Sequence, residues 1–170
     1  MIAAQTDRAA FDVLYRRYLD RVYAYAFYQL GDHHDAEDAT ERTFLAALRA
    51  LPDFRDEGAT FRAWLFRIAH NTLANSLRSR SRRRTDPLPD DLQRAAPDAD
   101  PAFIVARADE RRSILRAVRR LPDDRRQVIL LRFVDGLSTR EIGQVLDRSP
   151  GAVRVLQHRA LRDLAELLNA

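Results

Sequence analysis

The run Ser138-Thr139-Arg140-Glu141-Ile142-Gly143-Gln144-Val145-Leu146-Asp147-Arg148-Ser149-Pro150-Gly151-Ala152-Val153-Arg154 holds two helix starts separated by one tight turn. Ser138 and Glu141 have capping-box spacing: the hydroxyl accepts from an exposed N–H at the helix start, and the carboxylate reaches back to another. Ile142, Val145 and Leu146 supply the apolar face of a short helix. Asp147-Arg148 turns the chain, Ser149 caps again, and Pro150 takes the first helical position, where its missing N–H costs nothing. Two capped helices this close together define a helix-turn-helix.

The last helix, running to about Leu168, sorts into two faces. Val153, Leu156, Ala160, Leu164 and Leu167 form an inward stripe, while Arg154, Val155, His158, Arg159 and Arg162 point the other way. In this motif the start of the second helix enters the major groove. Arginine there pairs with guanine O6 and N7 together, and an exposed valine packs on a thymine methyl. An amphipathic packing helix with a solvated basic face is the plainer explanation, but it leaves the double capping and the short turn unused.

Upstream, the periodicity is again helical. Phe11, Leu14, Tyr15, Tyr18, Val22, Ala26 and Leu30 recur at steps of three and four from about Asp7, and Gly31 sits at the C-cap. Asp32 caps a second helix carrying Phe44, Leu48 and Leu51 and ending at Pro52. The loop Asp53 to Ala59 leads to Thr60, the N-cap of a third helix reaching about Arg80. Pro87, Pro89, Pro97 and Pro101 then mark an extended linker. Helices resume over Val105–Arg120, with Ile114, Leu115 and Val118, break at Leu121-Pro122, and continue from Asp123 to about Val134. No strand signal is present. The expected fold is all-α: two small helical domains, 1–84 and 105–170, joined by an acidic linker over 85–104, the second domain containing the helix-turn-helix.

The third helix interleaves aromatic and cationic residues. Phe61, Trp64, Leu65, Ile68 and Thr72 share one face and belong mostly to the core. Trp64, Arg67, Asn71 and Arg78 line its edge, a mixture suited to unstacked single-stranded DNA: planar groups stack on bases while Arg holds phosphate. Arg80, Arg82, Arg83 and Arg84 continue the positive track. A structural helix with cations at its C-terminal end, favoured by the helix dipole, explains this segment equally well.

Charge is distributed in blocks. All 29 basic residues are Arg. Residues 51–84 carry eight Arg and three acids, residues 106–170 fourteen and nine, and the intervening 85–105 only one against five. Two basic blocks flanking an acidic one point to two contacts with a polyanion. The absence of Cys excludes disulfides and thiolate metal sites, and no apolar run spans a membrane. No nucleophile–base pair is evident, so no enzymatic activity and no cofactor are expected. His33, His34, Glu37, Asp38 and Glu41 offer the one candidate for a helical metal site. His34 and Glu37 lie at i,i+3, but no matching Glu-x-x-His occurs elsewhere, and acids in a first turn answer the helix dipole.

Taken together, these segments resemble the extracytoplasmic-function group of bacterial sigma factors. Asp35-Ala36-Glu37-Asp38, followed by Phe44, resembles that family's polymerase-binding helix. Phe61 to Asn71 resembles its −10 segment. Leu121-Pro122, Glu141-Ile142-Gly143 and Ser149 to Arg154 resemble its −35-binding domain. The resemblance implies that Asp35, Glu37, Asp38 and Glu41 face core RNA polymerase. It implies that the loop Asp53–Ala59 and Asn71 receive bases of the melted −10 strand, and that Arg154 and Arg159, beside Val155 and His158, read the −35 element of promoter DNA. It further implies a cytoplasmic protein controlled by another protein, an anti-sigma factor. This sequence departs from the family at Glu41-Arg42, where Gln-Glu is usual, and at Val155-Leu156, where polar or basic residues are common. Gly143 replaces a usual Ala, at an expected cost of up to about 1 kcal/mol of helix propensity. Residues 85–101 reach at most about 60 Å, and a spacer of about 17 base pairs is roughly 58 Å long. The competing reading, a stand-alone regulator, accounts for residues 106–170. It leaves the Asp35–Glu41 cluster and the Trp64–Arg78 line without a task.

Overall fold

The computed structural model describes residues 8–56, 58–83 and 113–169. The expected linker over 85–104 and the beginning of the Val105–Arg120 helix lie outside them. The described residues contain helices and no strand. The first group comprises α1 (Arg8–Leu30), α2 (His33–Ala50), a single 3-10 turn (Leu51–Asp53) and α3 (Phe61–Arg83). The second comprises α4 (113–120), α5 (Asp123–Ile129) with a π-helical extension (Leu130–Val134), α6 (Thr139–Leu146) and α7 (Pro150–Asn169).

The boundaries follow from local chemistry. Gly31 ends α1 at φ +72°, a conformation that costs a side-chain-bearing residue energy, and its N–H bonds to Phe27 O at 2.7 Å. Asp32 begins α2 by accepting from Asp35 N at 2.9 Å. Thr60 caps α3 by accepting from Ala63 N at 3.2 Å. The capping box at Ser138 is complete: Ser138 N–H donates to Glu141 Oε2 and Glu141 N–H donates to Ser138 Oγ. Ser149 accepts from Ala152 N, and Pro150 opens α7.

α1, α2 and α3 pack on one another around Tyr25, Ala26, Phe44, Leu51, Leu65 and Phe66. In the second group Val128, Leu131, Leu137, Ile142, Val153 and Ala160 fill the centre. The two groups share one continuous core, with α3 against α6 and α1 against the π turn.

The structure revises the sequence reading in five places. The buried face of α3 is Phe61, Leu65, Phe66, Ala69 and Leu73, whereas Trp64, Ile68 and Thr72 are half-buried. That face is wide because α2 packs on one side of α3 and α6 on the other. Tyr25 and Gln29, absent from the expected stripe of α1, are buried because α3 and the π turn pack on α1, while Tyr15 and Leu48 are exposed. Ile114 is likewise exposed, and Val118 carries the packing of α4. The helix expected over Asp123–Val134 widens at Leu130, where Asp135 N–H bonds to Leu130 O and Leu137 N–H to Leu131 O. Finally, Gly143 is a steric requirement as well as a propensity cost: a Cβ there would lie 2.5 Å from the Arg148 carbonyl oxygen. The turn folds so closely onto α6 that Arg148 N–H also bonds to Gly143 O at 2.9 Å.

Candidate nucleic-acid interface

Val153 and Ala160 are fully buried and Leu156, Leu164 and Leu167 pack against the core, which fixes the rotation of α7. Arg154, Val155, His158 and Arg159 therefore stand together on the outer face. Val155 is 49% exposed between cationic neighbours. Such a side chain loses contact with water only when a partner covers it. Arg162, farther along this face, is drawn toward Asp163 and Glu166 at 3.7 and 3.9 Å. Arg125 holds Asp163 in turn, tying α5 to α7.

On α3 the turn Thr60 fixes the register, and burial of Phe66 and Leu73 points the opposite edge outward. Arg67, Asn71 and Arg78 are exposed along that edge. Trp64 is half-buried, its ring 4.9 Å from Phe54 and 5.4 Å from Phe61, so one flank is fixed in an aromatic cluster. Arg78 is held by Ala74 O at 3.3 Å and Asn75 Oδ1 at 3.2 Å. The side chains of Arg80, Arg82, Arg83 and Arg84 lie outside the described residues. The loop before α3 presents Arg55, Asp56 and Gly58 to solvent, with Phe54 buried beneath it as an anchor.

The acidic positions fall on α2. Glu37, Asp38 and Glu41 are exposed, and Asp35 is half-buried in the first turn. Asp38 pairs with Arg42 at 2.9 Å, an exposed i,i+4 contact of small energy. Glu37 and Glu41 border a groove of about 490 Å³ whose floor and walls include Phe11, Tyr15, Leu19, Phe44, Leu45 and Leu48. His33 stacks on Phe27 at 4.5 Å and hydrogen-bonds Tyr23 through Nδ1. Among the described residues no three His, Asp or Glu side chains are grouped to hold a metal ion.

One feature had no signal in the sequence. Glu141, besides its capping role, accepts from the Thr60 hydroxyl at 2.6 Å and from Arg62 at 2.8 Å, both on the other helical group. Burial alone would raise its pKa, but hydrogen bonds from Thr60, Ser138 and Arg62 outweigh that and pull it down to about 2. Gln144 donates to Gly58 O, and Arg126 donates to Gln29 Oε1 at 3.0 Å. Between these contacts Asp135 is buried with neither carboxylate oxygen hydrogen-bonded. Burial pushes its pKa up to about 8, against the pull of Arg21 and Arg62.

With these surfaces placed, similarity to known proteins becomes interpretable. Residues 14–83 match the family model for Sigma-70 region 2, and residues 111–164 match that for Sigma-70, region 4. The chain is 39% identical over 166 residues to the ECF RNA polymerase sigma factor BldN of Streptomyces coelicolor, covering 97% of this chain and 63% of that protein. It is 30% identical over 170 residues to the ECF RNA polymerase sigma factor SigW of Bacillus subtilis, covering 95% and 90%. Among solved structures, CnrH in complex with the cytosolic domain of CnrY superposes with a TM-score of 0.73 at 30% identity, over 98% of this chain and 92% of that one. The chain belongs to the sigma-70 family of RNA polymerase sigma factors, in its extracytoplasmic-function group. It spans 63% and 65% of the length of the two relatives it matches first, so those proteins extend beyond the shared region.

Proposed function

We propose that the chain is a transcription initiation factor that binds core RNA polymerase and directs it to promoters with two separate DNA elements. The observation that carries this reading is the presence, in one chain, of two exposed cationic reading surfaces of different chemistry. The α7 face, Arg154, Val155, His158 and Arg159, has the geometry of a helix entering a major groove and reads the duplex −35 element. The α3 edge, Trp64, Arg67, Asn71 and Arg78, combines a ring with cations and an amide, and receives the melted −10 strand together with the loop Asp53–Ala59.

Asp35, Glu37, Asp38 and Glu41 present negative charge to the polymerase, and the apolar groove beside them supplies burial for partner side chains. The division into a polymerase- and −10-binding domain over 1–84, a linker over 85–104 and a −35-binding domain over 105–170 belongs to the same reading. The chain contributes recognition, and nucleotide addition belongs to the polymerase. It works in the cytoplasm, where core polymerase acts; among the described residues no helix is long and apolar enough to cross a membrane. CnrH was solved bound to a second protein, which supports control by an anti-sigma partner.

A pull-down of core RNA polymerase by the purified chain tests the reading against a stand-alone regulator. Stoichiometric capture is expected, and absence of capture overturns it.

A further inference from the structure

One acid stands beside the outer face of α7. Asp163 lies four residues beyond Arg159, the spacing at which a carboxylate and a guanidinium meet on a helix. No other acid stands three or four residues from Arg154, Val155, His158 or Arg159. Left to its own helix, Asp163 would draw Arg159 along the face and occupy the donors that a guanine edge needs. It is drawn elsewhere: Arg125, on α5, donates to Asp163 Oδ2 across the contact between the two helices. We infer that Arg125 is a positioning residue for base recognition, holding Asp163 away from Arg159 so that Arg159 stays free to read the duplex. The inference rests on the role proposed above for α7.

The partners are sorted accordingly. Arg125 and Arg162 approach the Asp163 carboxylate, the latter at 3.7 Å, and Arg162 is drawn on toward Glu166 at 3.9 Å. Among the described residues Arg159 forms no ion pair. The acids of α5 do not compete for the Arg125 side chain. Asp124 accepts from the Arg125 backbone N–H at 2.8 Å, while Asp123 holds Arg126 and Gln127. The side chains of Arg125 and Asp163 are 25% and 17% exposed. Water screens such a sheltered pair less than it screens an exposed pair within one helix, which is weak. The cross-helix pair therefore wins Asp163.

Arg125 thus acts on DNA recognition without touching a base. Its loss releases Asp163, and the nearest unengaged cation on the same helix is Arg159. A duplex lying on α7 would exclude water from that new pair and strengthen it. Arg159 would then have to leave a carboxylate before it could reach guanine O6 and N7. A staple that only held α7 against α5 would behave differently, because removing its second half could repair nothing. A simple loss of positive charge would differ again, lowering affinity for every sequence alike.

The test is base preference. Core RNA polymerase reconstituted with the full chain selects from promoter fragments randomised in the −35 region, and bound fragments are sequenced. Arg159→Ala should abolish the preference at one base pair. Arg125→Ala should lower the preference at that same pair about three- to tenfold, part of what a whole bidentate contact supplies. Arg125→Ala combined with Asp163→Ala should restore it, since the competing carboxylate is gone. Circular dichroism confirms that each variant is folded. If Arg125→Ala loses helicity, Arg125→Gln, alone and with Asp163→Ala, gives the same comparison. A preference unchanged in the Arg125 variant, lowered at every pair alike, or not restored in the double variant overturns the inference. If Arg159→Ala selects as the parent does, the role of α7 falls and the inference with it. If the chain captures no polymerase, the proposed function falls, and the same variants selecting duplexes as free chains still decide the inference.

Discussion

Arg154 and Gly143 show how differently single residues act within the same motif. Arg154 is exposed, so under the proposed function its replacement should remove recognition and leave the fold intact. Arg154→Ala is expected to lower promoter-specific transcription roughly ten- to a hundred-fold, the size of one lost bidentate base contact, and to leave affinity for core polymerase unchanged in the same preparations. Asp38→Ala should do the opposite, weakening polymerase binding while a −35 duplex is still bound. A matching fall of both activities in either variant would break the division of labour. Gly143→Ala improves helix propensity by about 1 kcal/mol, yet it forces a methyl group to 2.5 Å from the Arg148 carbonyl oxygen. Backbone cannot move aside as a flexible side chain can, so a net loss of about 1–3 kcal/mol is expected. Thermal unfolding measures it, and a variant as stable as the parent would show that the turn relaxes.

At the scale of helices, the parts that the sequence made legible are those fixed by neighbours in the chain. Asp32, Thr60, Ser138 and Ser149 are helix caps both by sequence pattern and in the structure, because a cap needs only the next three residues. Ser138→Ala should therefore cost α6 about 1 kcal/mol, read as a lower melting temperature, and an unchanged melting point would show the capping box to be redundant. The rotation of α7 was legible for a similar reason: Val153, Leu156 and Ala160 repeat at helical spacing. What could not be read was set by distant contact. Tyr25, Gln29 and Phe66 are buried because the second helical group covers α1 and α3, and nothing within a turn of them announces it. Glu141 reads as a cap, and its bonds to Thr60 and Arg62 span 81 and 79 residues. The π turn at Leu130–Val134 was equally hidden, since its wider hydrogen bonds leave no mark on the pattern of apolar residues.

For the molecule as a whole, pH acts on the junction between the groups in two directions. Asp135 has a pKa raised from 3.8 to about 8 when buried facing Arg21, Tyr25 and Arg62. The folded chain binds that proton more tightly than the unfolded chain, so this contribution to stability is complete below about pH 4 and is lost as pH rises to about 8. Glu141 behaves oppositely: its pKa falls from 4.5 to about 2, and its contribution is present above 4.5 and lost as pH drops through 2. Stability, followed by thermal unfolding, should peak in mildly acidic solution, and Asp135→Asn should flatten the alkaline limb. An alkaline limb that persists in that variant assigns it to another group.

Reconstitution bears most directly on the central claim, that one chain carries two DNA-reading surfaces and a polymerase-docking helix. Core RNA polymerase is combined with the purified chain on a library of promoter fragments, and run-off transcripts are sequenced. Transcripts that depend on the chain should begin downstream of a shared pair of elements, and both Arg154→Ala and Arg67→Ala should reduce them. No chain-dependent transcripts, or start sites indifferent to both substitutions, would contradict the account.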